Sequence, residues 1–324
     1  MNTFWKRTFS TVVLLALLSG SVFLPMRLSI WVFGILCCLL TYGTAYELAK
    51  MLDGKASKDV SAHLSATACF LTTAATIVQQ HFGRLHYIVQ DFRSIVIQIS
   101  SAVSFSLPLL IAFIIWVAIL QSCNKENKFR RIVNMLVPMF LVNMAIQCIV
   151  EIYFFGREEA HYVNVTSYNF FFLYFVLITK LGDIGAYVVG SLSAYFLRNK
   201  GGNHKLIPKI SPGKSWEGAV GGLLTCIIGS NLMIYLCRST QYNDIFPKTW
   251  SLYLAASAIG AVLYFGGAIG DLAESSIKRT CKVKDSGHFL PGIGGLYDLT
   301  DSLMVNAVLF AMIQRPIYIF IIGG

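Results

Sequence analysis

Charged side chains are scarce in this chain. Asp, Glu, Lys and Arg together make up 13% of its 324 residues, where an ordinary globular domain carries roughly 25%. A soluble domain of this length could bury a large core, but it would still need a charged exterior, and this composition cannot supply one. Cysteine is present without a pattern: Cys37 and Cys38 are adjacent, the other six are scattered, and no C-x-x-C or Cys/His metal spacing occurs. That argues against both a disulfide framework and a zinc module. No internal repeat or low-complexity linker divides the chain. An excess of acid is also missing. The net charge is +10, with the basic residues split among short loops, a distribution that suits anionic lipid headgroups and implies no nucleic-acid partner.

Apolar residues are what the chain has in quantity: 56% of the total, with a mean hydropathy of +0.64. They fall into runs at Phe9–Leu24, Leu28–Tyr46, Ala62–Val78, Ile95–Leu120, Ile132–Phe155, Tyr168–Val189, Ala219–Cys237, Leu252–Ile269 and Gly294–Ile313. Each approaches the ~20 residues that cross ~30 Å of hydrocarbon as a helix. The expected fold is an all-α, polytopic transmembrane helix bundle of about nine spans. Lys6 and Arg7 precede the first run as in a signal peptide, but no small-x-small cleavage site follows, so the run is kept as a span. Pro108 and Pro138 lie inside spans and are expected to kink them. Residues 1–160 hold little beyond spans and short charged turns, with Glu47 and Glu151 near span ends read as interfacial; residues 161–324 carry the chemistry within the same integrated membrane domain.

Counting Lys and Arg on alternate sides gives 18 on the side of the N-terminus and 7 on the other, with Lys180 inside a span. The bias places the N-terminus in the cytoplasm and the C-terminus outside. It also puts both Gly-rich polar loops, after the sixth and eighth spans, on the cytoplasmic side, where nucleotides are.

The first of these loops belongs to the stretch KLGDIGAYVVGSLSAYFLRNKGGNHKLIPKISPGKSWEG, Lys180 to Gly218. Lys180 and Asp183 are three apart, so on a helix they share a face, and a salt bridge is their plainer reading. Lys205, Lys209, Ser211, Gly213, Lys214 and Ser215 are the residue types of a phosphate cradle. GKS is no P-loop, because Pro208 stands where that motif needs its first glycine and no βα unit surrounds it. The second stretch is GDLAESSIKRTCKVKDSGHFLPGIGGLYDLTDS, Gly270 to Ser302. Asp271, Glu274, Ser275 and Lys278 fall on one face of a helix leaving the eighth span, and Asp298 and Asp301 begin the ninth. Ionisable groups at such depth are costly and normally mark a function. Oxygen ligands without His or Cys suit Mg²⁺ together with substrate phosphates. Interhelical salt bridges alone account poorly for acids, bases and glycines clustering on one side. His288 and His204 are read as loop residues.

These residues are similar to the phosphatidate cytidylyltransferase (CDP-diacylglycerol synthase) family. SSIKR at Ser275–Arg279, KDSG at Lys284–Gly287, PGIGG at Pro291–Gly295 and DLTDS at Asp298–Ser302 resemble that family's signature in order, and HKLIPKISPGKSWEG at His204–Gly218 and GDIGAY resemble its upstream motifs. Two positions depart: Ile293 stands where the family has histidine, and Leu299 where it has arginine. The resemblance implies transfer of a cytidylyl group from CTP to phosphatidate, giving CDP-diacylglycerol and pyrophosphate. It implies Mg²⁺ on Asp271, Asp298 and Asp301, with room for a second monovalent or divalent cation. Ser275 and Lys278 join these aspartates as catalytic residues, and Lys205, Lys209, Ser211, Lys214, Glu217, Arg279, Lys284 and Asp285 as substrate-binding ones. It further implies membrane lipids as neighbours, leaves room for a homodimer, and places the protein in a bacterial inner membrane with its site facing the cytoplasm. The other readings weighed are a CTP-dependent lipid kinase of the polyprenol or phytol type, an intramembrane aspartyl protease and an ion-coupled transporter.

Overall fold

In a lipid interior every backbone N–H and C=O must find its partner within the chain, so long apolar runs fold as helices. A computed structural model describes residues 3–53, 60–82, 128–159, 170–197, 203–208, 211–239, 250–287, 289 and 294–322. Among them are eight helices: α1 Thr3–Phe23, α2 Met26–Asp53, α3 Val60–Phe82, α4 Lys128–Glu159, α5 Phe170–Phe196, α6 Trp216–Ser239, α7 Trp250–Thr280 and α8 Leu296–Ile322. The strands among the described residues are β1 Lys205–Ile207 and β2 Ser211–Ser215, an antiparallel pair. The protein is thus an all-α, polytopic integral membrane protein. Seven of these helices, α2 to α8, are long and apolar enough to cross a membrane; α1 contributes a shorter apolar piece, Val12–Phe23. The expected span at Ile95–Leu120, with Pro108, lies outside the described residues. Pro138 sits inside α4, which is assigned as one helix from Lys128 to Glu159.

The helices outrun the apolar runs. α2 continues to Asp53, and α7 continues past Ile269 through Asp271 and Glu274 to Thr280. Their polar last turns are amphipathic, so helix geometry carries them beyond the hydrophobic stretch.

The chain forms two compact units. One comprises Met1–Val150 with Thr280–Thr300, the other Glu151–Arg279 with Asp301–Gly324. In the first, a polar seam joins α2, α3 and α4. Thr41 shares a hydrogen bond with Thr73 at 3.3 Å, Thr72 donates to Asn143 Oδ1 at 2.8 Å, and Asn134 donates to Asp53 Oδ1 at 2.9 Å. Between membrane helices such bonds contribute about 0.6–2 kcal/mol each. In the second unit, small residues let helices approach: a Cβ at Gly222 of α6 would lie 2.9 Å from the Gly182 carbonyl oxygen of α5. Asn306 of α8 donates to the Leu263 carbonyl of α7 at 2.7 Å and to Thr179 of α5 at 3.0 Å, fixing three helices with one buried amide. On α6, Val220, Leu224, Ile228 and Leu232 recur every four residues and are each at least half exposed, a stripe suited to lipid.

Candidate active site

In the second unit α7 and α8 come within touching distance at Gly270, where a Cβ would lie 2.5 Å from the carbonyl oxygen of Asp301. Only glycine allows that approach, and it sets Asp271 beside Asp301. Glu274, one turn further along α7, joins them: one carboxylate oxygen from each of Asp271, Glu274 and Asp301 lies within 4.8 Å of the other two. Glu274 is 3% exposed. Three carboxylates this close repel one another, and lysines offset part of that repulsion. Lys214 Nζ stands 2.6 Å from Asp271 Oδ2, and Lys278 Nζ 2.7 Å from Glu274 Oε1. Behind the cluster Lys180 pairs with Asp183 at 3.4 Å, as their spacing suggests, and donates to Ser302 Oγ at 2.9 Å, which in turn donates to Asp183 at 3.2 Å.

The donor set suits a hard divalent cation: three carboxylates, no sulfur or imidazole, and counter-charges carried on long side chains that can swing away. The residues present therefore fit Mg²⁺.

Lys214 reaches Asp271 because the segment before α6 is a hairpin rather than an open loop. Lys205 pairs with Ser215 and Ile207 with Ser211 across β1 and β2. Ser215 caps α6 by accepting the Gly218 N–H at 3.1 Å, the ordinary helix N-cap. Glu217, in the first turn, accepts from the His204 N–H at 3.2 Å and is bonded to its ring Nδ1 at 2.8 Å. Asn203 donates to the Gly190 carbonyl of α5 at 2.7 Å. Glu217 is thus tied to the hairpin's own backbone, while Lys205 is exposed and Ser211 half-buried.

In the first unit Asp298 has other company. Its carboxylate accepts the Gly295 N–H at 3.1 Å and the Ser286 N–H at 3.3 Å. Glu47 of α2, expected at an interface, is instead buried at 4% exposure, with Oε2 accepting from Tyr297 N at 3.0 Å and from Ser286 Oγ at 3.2 Å. The apolar run ends near Glu47, but α2 does not, so its carboxylate lies among helix and loop rather than at a helix end.

Of the residues singled out in the sequence, Asp271, Asp301, Lys214 and Lys278 converge in the second unit, with Ser275 half-buried on the same helix and Arg279 exposed at its end. Lys284 and Asp285 are exposed. Lys209, His288 and Ile293 lie outside the described residues. Sequence reasoning left Glu274 out of the ligand set, although its spacing from Asp271 put it on the same face. It missed Glu47, whose partners lie 239 and 250 residues away.

A model of the cytidylyltransferase family matches residues 5–316 of the chain. Among curated proteins, the phosphatidate cytidylyltransferase of Haemophilus influenzae is 36% identical over 152 residues, covering 47% of this chain and 48% of that protein. The phosphatidate cytidylyltransferase of Staphylococcus haemolyticus is 35% identical over 158 residues, covering 48% of this chain and 54% of that protein. The chain thus spans about half the length of the curated relatives it matches.

Proposed function

This chain belongs to the cytidylyltransferase family, and from that premise we propose that it transfers the cytidylyl group of CTP to phosphatidate, giving CDP-diacylglycerol and pyrophosphate. The observation that carries the proposal is the convergence of Asp271, Glu274 and Asp301 with Lys214 and Lys278 at the ends of membrane helices. An oxygen of the lipid phosphate attacks the α-phosphorus of CTP, a new P–O bond forms, and the bond to the β-phosphate oxygen breaks with pyrophosphate leaving. The attacking group comes with the substrate, so no protein nucleophile is needed. The protein's work is to position two polyanions and to offset developing charge.

Mg²⁺ would be held by Asp271 and Asp301, with Glu274 beside them, and when bound it would supply Lewis-acid stabilisation of the phosphoryl oxygens; for Asp298 a part in the reaction rests on the resemblance of the DLTDS motif. Lys214 and Lys278, on flexible stems, would contact substrate phosphates, and Ser275 would donate a hydrogen bond from the same helical face. Arg279, Lys284, Lys205, Lys209 and Ser211 supply further phosphate contacts. Glu217 orders the hairpin that presents Lys214, and Asp285 orders the basic loop. The lipid's acyl chains remain in the bilayer while its headgroup meets CTP at the cytoplasmic face, the side that the 18-to-7 Lys and Arg bias assigns to these loops. Bacterial relatives make the inner membrane the fitting location.

Incubation of the purified protein with CTP, phosphatidate and Mg²⁺ should yield CDP-diacylglycerol and pyrophosphate by mass spectrometry. Release of CDP with a phosphorylated alcohol as product would make the protein a lipid kinase instead and overturn the proposal.

A further inference from the structure

Glu47 takes no part in the chemistry above, yet a carboxylate is rarely buried in a membrane helix without a purpose. Its surroundings show what it holds. Oε2 receives the Tyr297 N–H at 3.0 Å and the Ser286 hydroxyl at 3.2 Å. A Cβ added at Gly295 would lie 2.5 Å from that same oxygen, and one added at Gly287 would collide with Oε1. The two glycines let both stretches of backbone close directly onto the carboxylate. Asp298 receives N–H groups from the same two places, Ser286 and Gly295. Two carboxylates, one from α2 and one from α8, therefore hold Ser286 and Gly295–Tyr297 together, although nine positions separate Ser286 from Gly295. Glu47 alone among these groups comes from the N-terminal half of the chain.

We propose that Glu47 is a positioning residue for the cytidylyl transfer: it clamps the two ends of the Ser286–Tyr297 segment and so sets where Asp298 and the basic stretch before Ser286 present themselves to the nucleotide. The inference rests on the reading of the reaction given above. It assigns to α2 a direct role in holding the Ser286 and Gly295–Tyr297 backbone of its own unit.

The test uses the full-length protein in lipid nanodiscs, with Glu47→Ala, Glu47→Gln and Ser286→Ala. Glu47→Ala should lower kcat by roughly 10²-fold, the scale of a misplaced group away from the chemistry. It should also speed amide exchange in peptides covering residues 286–298 and leave exchange elsewhere at wild-type rates. Glu47→Gln keeps a side-chain carbonyl that can accept both bonds and should stay within about tenfold of wild type. Glu47→Ala with Ser286→Ala should be no worse than Glu47→Ala alone by more than about threefold, because the two act through one contact. Wild-type kcat in Glu47→Ala, unchanged exchange at 286–298, or equal damage in the Ala and Gln variants would each overturn the proposal. Should Glu47→Ala not fold, Ser286→Ala decides: faster exchange at 286–298 with an unchanged melting point supports the clamp, and wild-type exchange overturns it. A wild-type protein that makes no CDP-lipid would remove the reaction assigned above, whereas the exchange arm uses no substrate and still decides the clamp.

Discussion

The two units hold their buried carboxylates in opposite ways. In the first, Glu47 and Asp298 are met by backbone N–H groups and one hydroxyl at 3.0–3.3 Å, and the backbone donors cannot move without shifting the segment that carries them. In the second, Asp271 and Glu274 are met by the ammonium groups of Lys214 and Lys278, at the ends of four-carbon stems. The residue type is the same, but the consequence differs. A carboxylate satisfied by fixed donors is committed to geometry. One satisfied by a lysine keeps its charge available, because the ammonium sits on a flexible four-carbon stem that can turn to another partner. The first arrangement fixes a stretch of backbone, and the second leaves charge that can change partners.

The largest effect should come from removing charge where it is exchangeable. Asp301→Asn should lower turnover by at least ~10³-fold, about 4 kcal/mol of transition-state stabilisation, while leaving the melting point nearly unchanged. Mg²⁺ should raise the melting point of the wild type and not of this variant. Wild-type turnover in Asp301→Asn would break the assignment of the second unit as the working region. Next comes Lys278→Met. Glu274 is only 3% exposed, so removing the ammonium 2.7 Å from its carboxylate weakens the compensation of a buried charge and should cost up to about 3–5 kcal/mol of stability. Millimolar Mg²⁺ should restore part of that loss, since the cation takes over the lysine's task, and a melt with and without Mg²⁺ reads it directly. Lys214→Met should cost under ~1 kcal/mol, because its partner Asp271 is 40% exposed. Equal destabilisation by the two would show that burial does not separate the pairs.

How much of this was legible beforehand follows from the same contrast. The apolar runs declared the helices, because lipid leaves the backbone no alternative, and Glu274, Ser275 and Lys278, at spacings of three, four and seven from Asp271, declared a shared face on α7. The lengths of α2 and α7 were less legible, since their polar last turns fall below any hydropathy threshold. The β1–β2 hairpin has no clear sequence signature: KLI and SPGKS are short, and the bonds beside their pairing, Glu217 to His204 and Asn203 to Gly190, join residues 13 apart. Glu47 gave no local signal at all. An acid at the edge of an apolar run usually meets headgroups, and only the fold shows that Ser286 and Tyr297 come to it.

Gly270→Ala tests how closely α7 and α8 must approach. The added methyl would meet the Asp301 carbonyl at 2.5 Å. The obstacle is backbone, so the helices must part, at about 1–3 kcal/mol. Turnover should fall with stability, because separating the helices also separates Asp271 from Asp301. A stable but inactive variant would show that spacing of the carboxylates, more than packing, is what the glycine secures.

The smallest effect should come from Lys282, just past the end of α7, which holds φ at 57°. That left-handed conformation costs an ordinary L-residue about 1–2 kcal/mol, and glycine adopts it freely while losing about 0.5–1 kcal/mol of unfolded-state entropy. Lys282→Gly should therefore stabilise the protein by about 0.5 kcal/mol, read as a small rise in melting point. Its side chain is exposed, so the ammonium is screened and its loss should leave turnover within about threefold. Lys282→Ala removes the same charge but keeps the strained backbone, and it should match Lys282→Gly in turnover while melting lower. Should both variants lose turnover by the same larger factor, the cation at 282 would belong with Lys214 and Lys278, and a mobile positive charge would be part of the first unit as well as the second.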